Sequence, residues 1–147
     1  MAVVLDESKC GVCGEAIGRE PIIMLPAFVR NHRDPLYELS GSSFHERCFG
    51  LHPLADRAIR QSEERQAHLR PDKRICVVCQ RKIESDWFWT DLLTCDPLNP
   101  LGKFNYLHFH RSHVLGWSQF DEFKRLVDAF EASGDYEGLP ILVRLKI

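Results

Sequence analysis

The chain has 147 residues, a formal net charge of −2 and 44% hydrophobic residues, which suits one ordinary domain or two very small ones. No stretch approaches the roughly 18 apolar residues of a membrane span, and Met1 to Lys9 carries no apolar run of signal-peptide length. The near-neutral charge argues against a surface that grips nucleic acid as a whole, and the expected setting is the cytoplasm, where thiols stay reduced.

In chain order, the first element is a tight turn, Cys10-Gly11-Val12-Cys13, whose two thiols face one centre. The apolar stretches Ile22–Leu25 and Phe28-Val29 predict short strands paired as a hairpin. Asp34-Pro35-Leu36 marks a turn. In Phe44-His45-Glu46-Arg47-Cys48, the i, i+3 spacing of His45 and Cys48 puts both on one face of a helix's first turn. Pro53 is placed to open a second helix running through Leu54, Ala58 and Ile59 towards Leu69.

The same order then returns. Cys76-Val77-Val78-Cys79, the strands Trp87–Thr90 and Leu92-Leu93, Asp96-Pro97-Leu98 and Phe109-His110-Arg111-Ser112-His113 repeat the first series. The CxxC pairs are 66 positions apart, the closing pairs 65, and the Asp-Pro-Leu turns 62, so only the loops around that turn differ in length. A last helix is predicted with Ser118 as cap, an apolar stripe of Phe120, Phe123, Leu126, Val127 and Phe130, and Gly134 as its end. Ile141, Val143, Leu145 and Ile147 alternate in a strand-like period and predict an edge strand. The charged stretch Gln61–Lys73 reads as a solvated helix end and linker. The division is therefore residues 1–69 and 70–147, two modules of an α+β class.

Units this small bury little core and need staples. Cys10, Cys13, His45 and Cys48 form one set of four ligands, and Cys76, Cys79, His110 and His113 the other. Thiolate and imidazole in fours are the donor set of structural Zn²⁺, so two Zn²⁺ per chain are expected. Each would supply roughly 10 kcal/mol or more of apparent binding free energy. His108 crowds the second set, and aligning the repeats selects His110 over it. Cys95 has no counterpart and reads as a buried or half-buried free thiol; His32, His52 and His68 read as surface residues.

Cys10-x-x-Cys13-Gly14 with Phe44-His45-Glu46-Arg47-Cys48-Phe49 resembles a treble-clef zinc finger, and the pattern is similar to the first finger of a LIM domain. The resemblance spans residues 10–50 and again 76–116. It implies a zinc knuckle and β-hairpin followed by a helix in each half, with the eight residues above as ligands. A LIM domain sets its fingers two residues apart, whereas about 27 intervene here, so the finger architecture carries over and a LIM identity does not. RING-type fingers suggest crossed wiring, in which the first and third pairs share one metal. The nearest-neighbour logic of repeats favours sequential wiring.

Three functions compete. Closed quartets and the aromatic residues Trp87, Phe88, Trp89, Phe104, Tyr106 and Trp117 suit a protein-binding adaptor. Its partner would be an enzyme, a toxin that it neutralises, or a ubiquitin-like conjugation complex if the wiring is RING-like. Arg57, Arg60, Arg65, Arg70, Lys73, Arg74, Arg81 and Lys82 suit nucleic-acid binding, with Asp56, Glu63, Glu64, Asp72 and Glu84 interleaved against it. An HNH-type nuclease would need His108 as its catalytic base and an open metal position. The chain offers no nucleophile–base pair or phosphate-binding Gly loop of an ordinary enzyme.

Overall fold

A computed structural model of the chain describes residues 8–145. Its elements, in order, are β1 (Ile22–Met24), β2 (Ser43–His45), α1 (Glu46–Gly50), α2 (Ala55–Leu69), β3 (Trp87–Trp89), β4 (His108–His110) and α3 (Phe120–Ala132). The mixture is α+β, with two separate two-stranded antiparallel sheets, β1–β2 and β3–β4.

Of the expected strands, the first of each pair forms, as β1 and β3, and each pairs with a strand that was not predicted. β1 pairs with β2 in the register Ile22↔His45, and β3 with β4 in the register Trp87↔His110. Phe28-Val29 and Leu92-Leu93 are not strands. Phe28 and Val29 are buried, and their N–H groups donate to Ser40 Oγ at 2.8 and 3.0 Å. The N–H of Leu93 donates to Asn105 Oδ1 at 2.8 Å. Side chains thus satisfy these buried amides in place of a ladder. The partner of each hairpin is the strand that ends in a ligand histidine.

The Asp-Pro-Leu turns form as predicted. The N–H of Leu36 donates to Asp34 Oδ1 at 3.0 Å and that of Leu98 to Asp96 Oδ1 at 2.9 Å. Their leucines part company: Leu36 is fully buried, while Leu98 is 90% exposed.

Two helix starts and the C-terminal strand need correction. α2 begins at Ala55, two residues beyond Pro53, which lies in the preceding turn. Gln119, not Ser118, flanks the start of α3, and no side chain caps it. Gly134 does end α3, at φ +77°, with its N–H on the Glu131 carbonyl at 3.3 Å. The predicted C-terminal strand is a 3₁₀ turn, Leu142–Leu145, opened by the Val143 N–H bonding the Pro140 carbonyl. Ile141 and Leu145 are buried in the core and Val143 is exposed, so the alternating pattern served a helical turn; Ile147 lies outside the described residues.

Two cores result. The first gathers Phe28, Leu36, Leu39, Phe44, Phe49 and Ala58, and also takes in Leu92 from the second half. The second gathers Phe88, Phe104, Phe109, Trp117, Phe123, Val127 and Ile141. Phe88, Phe104 and Trp117 therefore pack inside, leaving Trp87, Trp89 and Tyr106 half-exposed.

The stretch read as a solvated linker is an anchored helix instead. Arg65 makes a two-pronged ion pair with Asp91, at 2.7 and 2.9 Å, with side chains only 18% and 12% exposed. Gln61 donates to Tyr106 Oη at 2.6 Å and Arg57 to the Cys95 carbonyl at 2.6 Å. Asp34 reaches across as well, accepting the Cys95 N–H at 2.5 Å. His68 is half-buried and stacks on Tyr106 at 4.3 Å, and His52, also half-buried, accepts the Leu54 N–H through Nδ1 at 3.1 Å. His32 is exposed, as read.

Removing one partner of a buried pair leaves the other charge unanswered. Arg65→Ala is expected to lose about 3 kcal/mol in urea denaturation. Arg70→Ala, which breaks an exposed contact with Asp72 at 3.2 Å, is expected to lose less than about 0.5 kcal/mol.

Candidate metal centres

The two CxxC turns are built by the same hydrogen bonds. In the first, the Cys10 N–H bonds the Glu15 carbonyl, Gly14 bonds Cys10, and Ile17 bonds Ser8, at 2.9, 2.8 and 2.8 Å. In the second, Cys76 bonds Arg81, Gln80 bonds Cys76, and Ile83 bonds Arg74, at 2.9, 2.8 and 2.8 Å. The turn requires a positive φ after the second cysteine: +76° at Gly14 and +58° at Gln80. Glycine takes this without strain; Gln80 does so with its Nε2 donating to the Val77 carbonyl at 2.8 Å.

Each turn docks on the ligand-bearing strand. The Gly11 N–H donates to the Ser43 carbonyl at 3.0 Å and the Val77 N–H to the His108 carbonyl at 2.9 Å. The strand then ends in His45 or His110. One helical turn later comes Cys48, on α1, or His113, on a 3₁₀ turn Arg111–His113 rather than an α-helix. Arg111 holds that second turn, pairing with Asp86 at 2.9 Å and donating to the carbonyls of Trp87 and Arg144. No sequence pattern announced this role.

The result is two clusters, Cys10, Cys13, His45, Cys48 and Cys76, Cys79, His110, His113, whose ligand atoms all lie within 4.8 Å of one another and could hold a metal ion. The pairs join in sequence, not crossed. His108 stands outside: it is 4% exposed, packs against both Trp87 and Trp89 at 5.5 and 5.6 Å, and has neither ring nitrogen hydrogen-bonded. Its counterpart in the first half is Ser43.

The spacings match a tetrahedron. With Zn–S bonds of about 2.3 Å and Zn–N bonds of about 2.0 Å, its S···N edges are roughly 3.5 Å and its S···S edges roughly 3.8 Å. Sγ of Cys13, Cys79 and Cys76 lies 3.5 Å from Nδ1 of His45, His110 and His113 respectively, and Cys48 Sγ lies 3.8 Å from His45 Nδ1. Nδ1 faces the centre each time. His45 Nε2 lies 3.3 Å from the Ala16 carbonyl. A carbonyl only accepts, so Nε2 carries the proton and Nδ1 keeps its lone pair for a metal.

Backbone amides prepare the thiolates. Burial raises the Cys10 thiol, but N–H groups of Cys13, Val12 and His45 around its sulfur outweigh that and bring it to about 6. Cys76 likewise reaches about 6, burial being overcome by N–H groups of Cys79 and His110, the His113 side chain and the Val78 N–H. Cys48 is pushed up, by burial and then by hydrogen bonds and charge from Cys13 and Cys10. That repulsion is what a cation removes. All six cysteines are free thiols. Cys95 lies outside both clusters, and burial and then Asp34 push its thiol far up, towards the neutral form.

No family model, curated protein or solved structure compared with the chain matches it. What is established stands on geometry: an α+β chain with two Cys/His clusters able to take one metal each.

Protonation opposes metal binding. A thiol whose pKa is lowered on folding favours the folded, metal-ready state above its unfolded value near 8.5. That advantage is lost as pH falls through about 6, the value held by Cys10 and Cys76. Metal release, followed with a chromogenic chelator, is expected to begin below pH 6 and to be accompanied by loss of folded circular dichroism.

Proposed function

We propose that the chain is a non-catalytic, zinc-stabilised binding protein: two treble-clef-like fingers, residues 1–69 and 70–147, each closed on one Zn²⁺, acting on another protein in the cytoplasm. The observation that carries this reading is that each cluster supplies four protein ligands. Four ligands fill the tetrahedron of a structural zinc site, and a catalytic site keeps a position for water or substrate. Function then resides on the surface.

The surface supports a protein partner. Trp87 and Trp89 lie side by side on β3, half-exposed, with Arg74 over the first ring at 4.2 Å and Arg65 over the second at 5.5 Å. Tryptophan and arginine are the residues that dominate interface energetics.

Nucleic acid is the weaker reading because half of the basic residues it needs have other tasks. Arg57 bonds Cys95, Arg65 pairs with Asp91, Arg70 with Asp72, and Arg74 donates to the Leu69 carbonyl while covering Trp87. Sequential wiring weighs against a RING-like conjugation role. A nuclease base must reach its substrate, and His108 is enclosed.

Elemental analysis of the purified chain is expected to give close to two zinc per molecule, falling to one in His45→Ala and in His110→Ala. Less than one zinc in a folded wild type would sink the reading. With zinc established, affinity capture should retain a protein partner and lose it in Trp89→Ala. Capture of nucleic acid, with affinity falling steeply between 50 and 200 mM salt, would point to the alternative instead.

A further inference from the structure

Away from both clusters, one cavity gathers positive charge that no described carboxylate answers. It measures about 130 Å³ and is lined by Arg30, Tyr136, Leu139 and Arg144. Distant parts of the chain build it. Asn31 and Tyr136 form an antiparallel bridge, the Glu137 N–H donates to the Arg30 carbonyl at 2.8 Å, and the His32 N–H donates to the Asp135 carbonyl at 2.7 Å.

The arginines are seated by their surroundings. Arg30 lies over Gly138, where a Cβ would sit 2.8 Å from its Nη1, and Gly138 has φ +123°. The Arg144 carbonyl accepts from Arg111, fixing its main chain, and its Nε is enclosed with no hydrogen-bond partner. The acids nearby are engaged elsewhere. Asp135 pairs with Arg33 at 2.9 Å, Glu137 accepts from Tyr37 at 2.9 Å and faces His32 at 3.9 Å, and Glu131 accepts the Ile141 N–H at 2.5 Å. Among the described residues, no carboxylate lies within ion-pair distance of Arg30 or Arg144.

Two guanidinium groups lining one small cavity repel, and an anion between them reverses the sign of that interaction. A planar carboxylate is satisfied by a single two-pronged guanidinium. Two guanidiniums carry two positive charges, one more than a carboxylate can answer. A phosphoryl group, with three acceptor oxygens and a charge of about −1.5 to −2 at neutral pH, matches them. The cavity is well below the roughly 300 Å³ at which pockets for whole small molecules begin, so it fits a group rather than a nucleotide. We propose that Arg30, Arg144 and Tyr136 form a phosphoryl-binding site, filled by free phosphate or by a phosphorylated side chain of a partner. The site is independent of the zinc reading.

Isothermal titration of the metal-loaded full chain with inorganic phosphate, a phosphoserine peptide and acetate tests it. Saturable one-site binding of phosphate or of the peptide is expected, at least tenfold tighter than acetate. Arg30→Gln and Arg144→Gln should each weaken it tenfold or more, and Arg30→Lys, which keeps the charge and loses the fork, should fall between. Tighter binding of the peptide assigns the group to a partner, and tighter binding of inorganic phosphate assigns it to the free anion; either supports the site. Arg30 is exposed, so Arg30→Gln should keep the fold, checked by unchanged metal content, and can decide alone if Arg144→Gln does not fold. Wild-type affinity in folded Arg30→Gln, no saturation in the wild type, or acetate bound as tightly as phosphate would overturn the proposal.

Discussion

Three sulfur atoms and an imidazole nitrogen converge within 4.8 Å of one another in the first half, a donor set that could hold a metal ion. Much else in the chain serves that convergence. Each CxxC turn aims its amides at one buried sulfur, each short hairpin carries a histidine to the centre, and each following helical turn delivers the last ligand. The strands are three residues long, too short for an isolated hairpin to persist in water. A metal held by each cluster would supply what the ladder lacks.

The same scaffold gives different packing in its two halves. α2 and α3 begin 65 positions apart, and their inward residues correspond: Ala55, Ala58 and Ser62 in one, Phe120, Phe123 and Val127 in the other. Large side chains let α3 fill its own core, with Phe123 edge-to-face on Phe104 at 5.3 Å and tilted against Trp117 at 5.9 Å. Small ones let α2 sit close, while Arg57, Gln61 and Arg65 along it bond to the second half. A helix that is a core element in one half is a bridge in the other.

The Asp-Pro-Leu turn shows the same divergence. Both turns are made by an aspartate accepting the leucine's N–H. In the first half, the second oxygen of Asp34 reaches Cys95 across the seam and Leu36 is buried; in the second half Leu98 stands in solvent. Local chemistry made both turns, and the packing around each decided which leucine would be covered.

The sequence by itself determined the two Cys/His quartets that converge, the Asp-Pro-Leu turns, the presence of α2 and α3 and the α+β class. Each is written in short-range spacing: two residues between the paired cysteines, two between the closing pair, a 3.6-residue apolar period in α3. It also selected His110 over His108, because the repeat placed Phe109-His110 opposite Phe44-His45. It did not determine which strand each hairpin would pair with, since Phe28-Val29 and Ser43–His45 are both apolar enough and only the Ser40 hydroxyl and the ligand geometry separate them. Nor did it reveal that Gln61–Arg65 is an anchor. A charged helix face looks solvated until the opposite charge, here Asp91, 26 residues away, is brought to it. The alternation from Ile141 to Leu145 misled, because a strand would turn Ile141, Val143 and Leu145 to one face, whereas the 3₁₀ turn buries Ile141 and Leu145 and leaves Val143 exposed. Only the tertiary structure decided these matters, because each depends on a partner distant in the chain.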